Sequence, residues 1–124
     1  MIKTAGKKVW LIPDGYWPSV SNGLYPSHES ICVLNTGNVD AEMDITLYFE
    51  DRAKMEGFQA VCKAEHTHHI RLDKLQNREG RGVPRGIPYA MVVCGTVDIV
   101  VQYSRMDTTR AEMALMSVMA FPVQ

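Results

Sequence analysis

The sequence predicts an all-β protein, an antiparallel β-sandwich of about eight strands with long loops. Three features carry that expectation. Apolar and polar residues alternate with period 2 along most of the chain, as they do in strands that bury one face. Runs rich in β-branched residues recur at short intervals between Gly, Asn and Pro punctuation. Two long connections, "PDGYWPSVSNGLYPS" and "NREGRGVPRGIP", separate some of the runs. The whole of 1–124 is expected to form a single domain, and a chain of this length buries about two thirds of its unfolded surface without staples.

In chain order, "VWLI" places Trp10 in the core rather than on a stacking platform. Pro13 to Ser27 then forms a 15-residue loop carrying Tyr16, Trp17 and Tyr25, a length usually reserved for functional or mobile segments. "ESICVLN" is apolar on both faces and predicts a central strand, ended by the turn "NTGNVD". In "AEMDITLYFED", Met43, Ile45, Leu47 and Phe49 face one way and Asp44, Thr46 and Tyr48 the other, a half-buried strand. "FQAVCKAEHTHHIRL" has no proline or glycine and predicts one long strand or two broken near Lys63. "IPYAMVVCG" and "VDIVVQYSR" are β-branched runs whose "GT" link predicts a hairpin. The tail "TTRAEMALMSVMAF" is evenly divided. Its composition and a threonine cap favour helix, whereas alternation and Pro122 favour strand.

Charge and cysteine usage exclude several function classes. A net charge of −1 argues against a dedicated nucleic-acid binder, although Lys63–Arg85 holds six basic residues against three acidic ones, so a DNA-associated regulator is kept as an alternative. Cys32, Cys62 and Cys94 form no C-x-x-C pair and lie in apolar runs, which suits a reducing cytoplasm. "VWLI" is too short for the apolar region of a signal peptide, and no segment is expected to insert in a membrane.

Three of the four histidines fall in "EHTHHIRL". In a strand His66, His68 and Ile70 point one way while Thr67, His69 and Arg71 point the other. Only His66 and His68 can then share an ion, and zinc needs three or four ligands. A metal-dependent β-barrel enzyme using His66, His68 and His28 is the second alternative. Catalysis has little other support, since no serine sits in a G-x-S-x-G elbow and nothing places Glu29 and His69 together as an acid–base pair.

The chain resembles the sensory rhodopsin transducer family of small soluble bacterial proteins, named for a member that partners a microbial light-sensing rhodopsin. The resemblance runs from about Trp10 to Ala120. It is carried by S-H-E before the central strand, L-N-x-G after it, H-x-R at His69 and Arg71, and V-V-Q-x-x-R-x-D from Val100 to Asp107. It implies an all-β sandwich assembled as a homo-tetramer, without established catalytic activity or cofactor. It also implies that Glu112 to Phe121 is a strand, against its local helix propensity.

The resemblance further implies a polar face for a small, sugar-like molecule, with a signalling protein as a further partner. The matching positions are His28, Glu29, Asn35, His69, Arg71, Gln102, Arg105 and Asp107; His66 and His68 depart from the pattern. Arginine offers forked donors, carboxylates and amides pair with hydroxyls, and Trp17 or Tyr16 is suited to cover the apolar side of a sugar ring. Structural readings compete at several positions. Arg105 and Asp107 share a strand face and form a salt bridge on that reading. Gln102 has the opposite parity and reaches the same pocket only through a bulge. Asn35 shapes the turn before Gly37, and Trp17 anchors its loop.

Overall fold

The computed structural model of the protein describes residues 4–124. Met1–Lys3, part of the lysine-bearing segment read against a signal peptide, lie outside them. Eight strands form two antiparallel sheets: β1 (Lys7–Gly15), β2 (His28–Asn35), β3 (Ala41–Phe49), β4 (Met55–Cys62), β5 (His66–Arg71), β6 (Tyr89–Asp107), β7 (Ala114–Met119) and β8 (Phe121–Pro122). Sheet A runs β4-β3-β6-β1-β8, and sheet B runs β5-β2-β6-β7. The sandwich expected from alternation is the one observed. Among the described residues no helix is long and apolar enough to cross a membrane.

β6 belongs to both sheets, which corrects the hairpin expected at "GT". Met91 to Gly95 pair with β1 and β3, while Val100 to Met106 pair with β2. The two β-branched runs are therefore successive halves of one 19-residue strand. Gly95 marks a bend instead of a turn: a Cβ there would lie 2.9 Å from the Val97 carbonyl oxygen. Opposite it the β1 register slips between Lys7 and Val9, as at a bulge. Trp10 stabilises this crossing. Its indole N–H is shared between the carbonyls of Lys7 (2.9 Å) and Ile99 (3.0 Å), and the ring is buried in the core as expected.

The remaining ambiguities resolve locally. Lys63–Glu65 breaks "FQAVCKAEHTHHIRL" into β4 and β5, with Glu65 in the left-handed region (φ 56°) and the Ala64 N–H donating to Asp40 at 2.9 Å. Met55 and Phe58 are both buried because a bulge at Gly57 (φ 89°) resets the alternation. The tail is strand, beginning two residues after Glu112. Between the sheets Ile31, Val33, Ile45, Phe58, Val93, Val101 and Tyr103 form a core with at most 1% exposure each.

Candidate functional site

The outward face of sheet B collects much of the predicted polar set. Register places side chains in rows about 4.8 Å from strand to strand. One row is His69, Cys32, Gln102 and Met119; the next is Arg71, Ser30, Ser104 and Ser117. His28 and Met106 follow at one end, and Thr67, Leu34 and Val100 at the other. The centre is lined by small hydroxyl and thiol groups and flanked by longer donors and acceptors. Such a surface can hydrogen-bond a polyhydroxylated molecule lying flat across four strands.

Arg71 is less free than the sequence suggests. Its Nε and Nη2 both donate to Asp73, at 2.8 Å each. Burial opposes ionisation of Asp73, but Arg71's hydrogen bonds and charge, with a smaller contribution from His28, hold its carboxyl below the usual range. His28, Arg71 and Asp73 thus share one end of the face. The His28 Nδ1 lies 2.9 Å from the Pro26 carbonyl; a carbonyl only accepts, so Nδ1 carries a hydrogen and donates it, and Nε2 is turned away from this contact.

His66 and His68 make similar contacts with the carbonyls of Ala64 and Val61, 2.7 Å in each case. They sit at the Asn35 end of β2, whereas His28 begins that strand. His28, His66 and His68 therefore do not gather, and among the described residues no group of three His, Cys, Asp or Glu is placed to hold an ion. The basic stretch is likewise dispersed: Arg71 engages Asp73, while Arg85 lies 4.3 Å over the Trp17 ring.

Glu29 and Arg105 point the other way, into the sandwich. Glu29 is 1% exposed and accepts from the Tyr89 hydroxyl (2.7 Å), the Tyr16 N–H (2.8 Å) and the Tyr103 hydroxyl. The Arg105 Nε donates to the Tyr103 hydroxyl at 3.0 Å, and its guanidinium lies over the Tyr16 and Tyr103 rings. Burial raises the Glu29 carboxyl above its usual range, against the opposing pull of these hydrogen bonds and of Arg105. Burial and the neighbouring Glu29 charge also push up both tyrosine hydroxyls. Sequence reading missed Tyr89 and Tyr103. Their signal was alternation in phase with Met91, Val93, Ile99 and Val101, which sends both phenols inward, where a hydroxyl needs a partner.

The other predicted positions lie apart from the outward face. Asn35 donates to the carbonyls of Val39 (2.8 Å) and Cys62 (3.1 Å) and accepts from the Gly37 N–H (3.0 Å), so it orders the turn. Asp107 accepts from the Thr109 N–H at 2.8 Å, and these Thr109 contacts hold its carboxyl low. Arg105 reaches Asp14 instead of Asp107, at 3.4 Å. Trp17 donates to the Ser27 carbonyl at 2.9 Å and its own carbonyl accepts from Gly86 at 2.7 Å, fastening the Tyr16–Ser27 loop to the segment before β6.

Known proteins share this fold. No curated protein sequence gives a significant match. Two solved structures are similar over nearly their whole length. The crystal structure of Thermotoga maritima 1070 is 33% identical, with a TM-score of 0.84, covering 95% of this chain and 96% of its own. The Anabaena sensory rhodopsin transducer is 34% identical, with a TM-score of 0.74, covering 88% of this chain and 96% of its own. The family model for the Anabaena sensory rhodopsin transducer matches residues 5–122, and the chain therefore belongs to that family.

Proposed function

We propose that this protein is a non-enzymatic, cytoplasmic sensing module that binds a small sugar-like molecule on the outward face of sheet B and relays its occupancy to a signalling protein. The observation that carries the reading is the register of that face. Three adjacent strands present His69, Cys32, Gln102, Arg71, Ser30 and Ser104 side by side, a hydrogen-bonding surface. Of the residues carried by the resemblance, His28, His69, Arg71 and Gln102 contact the ligand in this proposal; Glu29, Asn35, Arg105 and Asp107 shape the scaffold, and Trp17 braces the loop. Unpaired Cys32, Cys62 and Cys94 support a reducing compartment. Membership of a transducer family supports a relay role, and the homo-tetramer implied by the resemblance is the assembly we propose.

Thermal shifts with neutral monosaccharides, sugar acids and nucleotides test the reading. A binder at 100 times its dissociation constant should stabilise the protein by about 2.7 kcal/mol. His69→Ala and Arg71→Ala should remove that gain. Unliganded stability should change by no more than about 1 kcal/mol for His69→Ala, since that residue is exposed. It should fall by about 1–3 kcal/mol for Arg71→Ala, which leaves the half-buried Asp73 carboxylate without its two donors. A gain that survives both substitutions places the ligand elsewhere. No gain with any of the three classes sinks the sugar-like reading.

A further inference from the structure

Sheet B ends at β7, which pairs only with β6 among the described strands, and all six of its residues are exposed. The inward face is the anomaly. Inward-pointing Ile31, Val33, Val101 and Tyr103 of β2 and β6 are 0% exposed. On β7 the equivalent positions are Met116 and Val118, opposite Arg105 and Tyr103, and they are 40% and 49% exposed. Outward-pointing Leu115 and Met119 are exposed as well. From Met113 to Gln124 no side chain is charged, so this edge lacks the lysines and inward charges with which edge strands repel a neighbour.

The backbone indicates what fits there. The Ala120 N–H donates to the Val101 carbonyl at 3.1 Å, continuing the register that pairs Met119 with Gln102. Antiparallel ladders alternate bonded and non-bonded pairs. Ala114, Met116 and Val118 therefore bond to β6, while Leu115, Ser117 and Met119 turn their N–H and C=O groups to the open edge.

We propose that this edge pairs with β7 of a second copy of the chain, antiparallel about a two-fold axis through Ser117. An axis through a residue keeps the outward faces of both copies on one side of the sheet. An axis through an edge-facing residue sets free N–H groups against free carbonyls. Ser117 is the edge-facing residue at the middle of the strand. Pairing there sets it against Ser117 of the partner subunit, and Leu115 against Met119 of the partner subunit. On the inward side Met116 meets Val118 of the partner subunit, which covers the residues that sheet A leaves bare. Two uncharged edges of matched side-chain size meet without an unpaired charge on either face, which favours a second copy over a charged peptide. The inference rests on the assembled form proposed above and specifies one interface of it.

Cysteine cross-linking tests the register. With Cys32 and Cys94 replaced by serine, Ser117→Cys should form a covalent dimer under mild oxidation. Leu115→Cys and Met119→Cys, each roughly 13 Å from its own copy and beyond the ~7 Å reach of a disulfide, should cross-link only when mixed with each other. Ser117→Pro removes an edge-facing N–H but no bond to β6, and should halve the number of subunits found by light scattering. A single-chain mass for the unaltered protein overturns the proposal together with the tetramer. A tetramer with no Ser117→Cys cross-link, with equal cross-linking at all three positions, or with its mass unchanged by Ser117→Pro overturns the interface alone.

Discussion

Glu29→Ala should lower the unfolding free energy by about 3–5 kcal/mol. The substitution strips the acceptor from two buried tyrosine hydroxyls and from the Tyr16 N–H, in a space that water does not reach. It also removes a buried carboxylate whose charge acts on Arg105, a residue whose side chain is 15% exposed. Glu29→Gln keeps an oxygen for two of the donors and gives the third a reversed partner, because a tyrosine hydroxyl also accepts. It should cost only about 1 kcal/mol.

The same pair reports the charge on Glu29. Burial raises its folded-state pKa above the ordinary 4.5, so the folded protein holds this proton more tightly than the unfolded chain does. The stability contributed by protonation is then fully present below the unfolded value and is lost as pH rises through the folded one. Urea unfolding of the unaltered protein and of Glu29→Gln, compared from about pH 4 to 8, should show the unaltered protein losing ground as pH rises. If it gains ground instead, the three hydrogen bonds and Arg105 outweigh burial.

Trp10→Ala should destabilise by about 3–5 kcal/mol as well. The indole is 5% exposed, and its N–H serves two carbonyls at the point where β6 leaves sheet A. Truncation leaves a cavity and takes a buried donor from the Ile99 carbonyl. Trp10→Phe restores most of the volume but not the donor, and should retain a deficit of about 1 kcal/mol. A loss below about 1 kcal/mol for Trp10→Ala would mean that the bend is held by other contacts.

Local alternation was enough to read β3 and the two faces of β5, because each strand obeys its own period, and β2 was legible as a run apolar on both faces. The "GT" link was misread for a physical reason. A glycine that bends one strand and a glycine that turns between two look alike in sequence. The difference lies in whether the flanking runs pair with each other or with β1, β2 and β3. The tail was divided for the same kind of reason: Ala, Met and Leu favour helix, and pairing with β6 overrides them.

The candidate site was legible by parity but not by partner. Alternation correctly separated His69 and Arg71 from His66 and His68, and Gln102 from Arg105. It gave no sign that Asp73 occupies Arg71, or that Glu29 meets tyrosines 60 and 74 positions away.

The strand common to both sheets also bears on how the chain is made. Until Tyr89–Asp107 has left the ribosome, only the ribbons β3–β4 and β2–β5 have found neighbours, and neither sheet is complete. Each ribbon must wait with its greasy side wet, so this protein should engage chaperones from the time the ribbons emerge until the shared strand does.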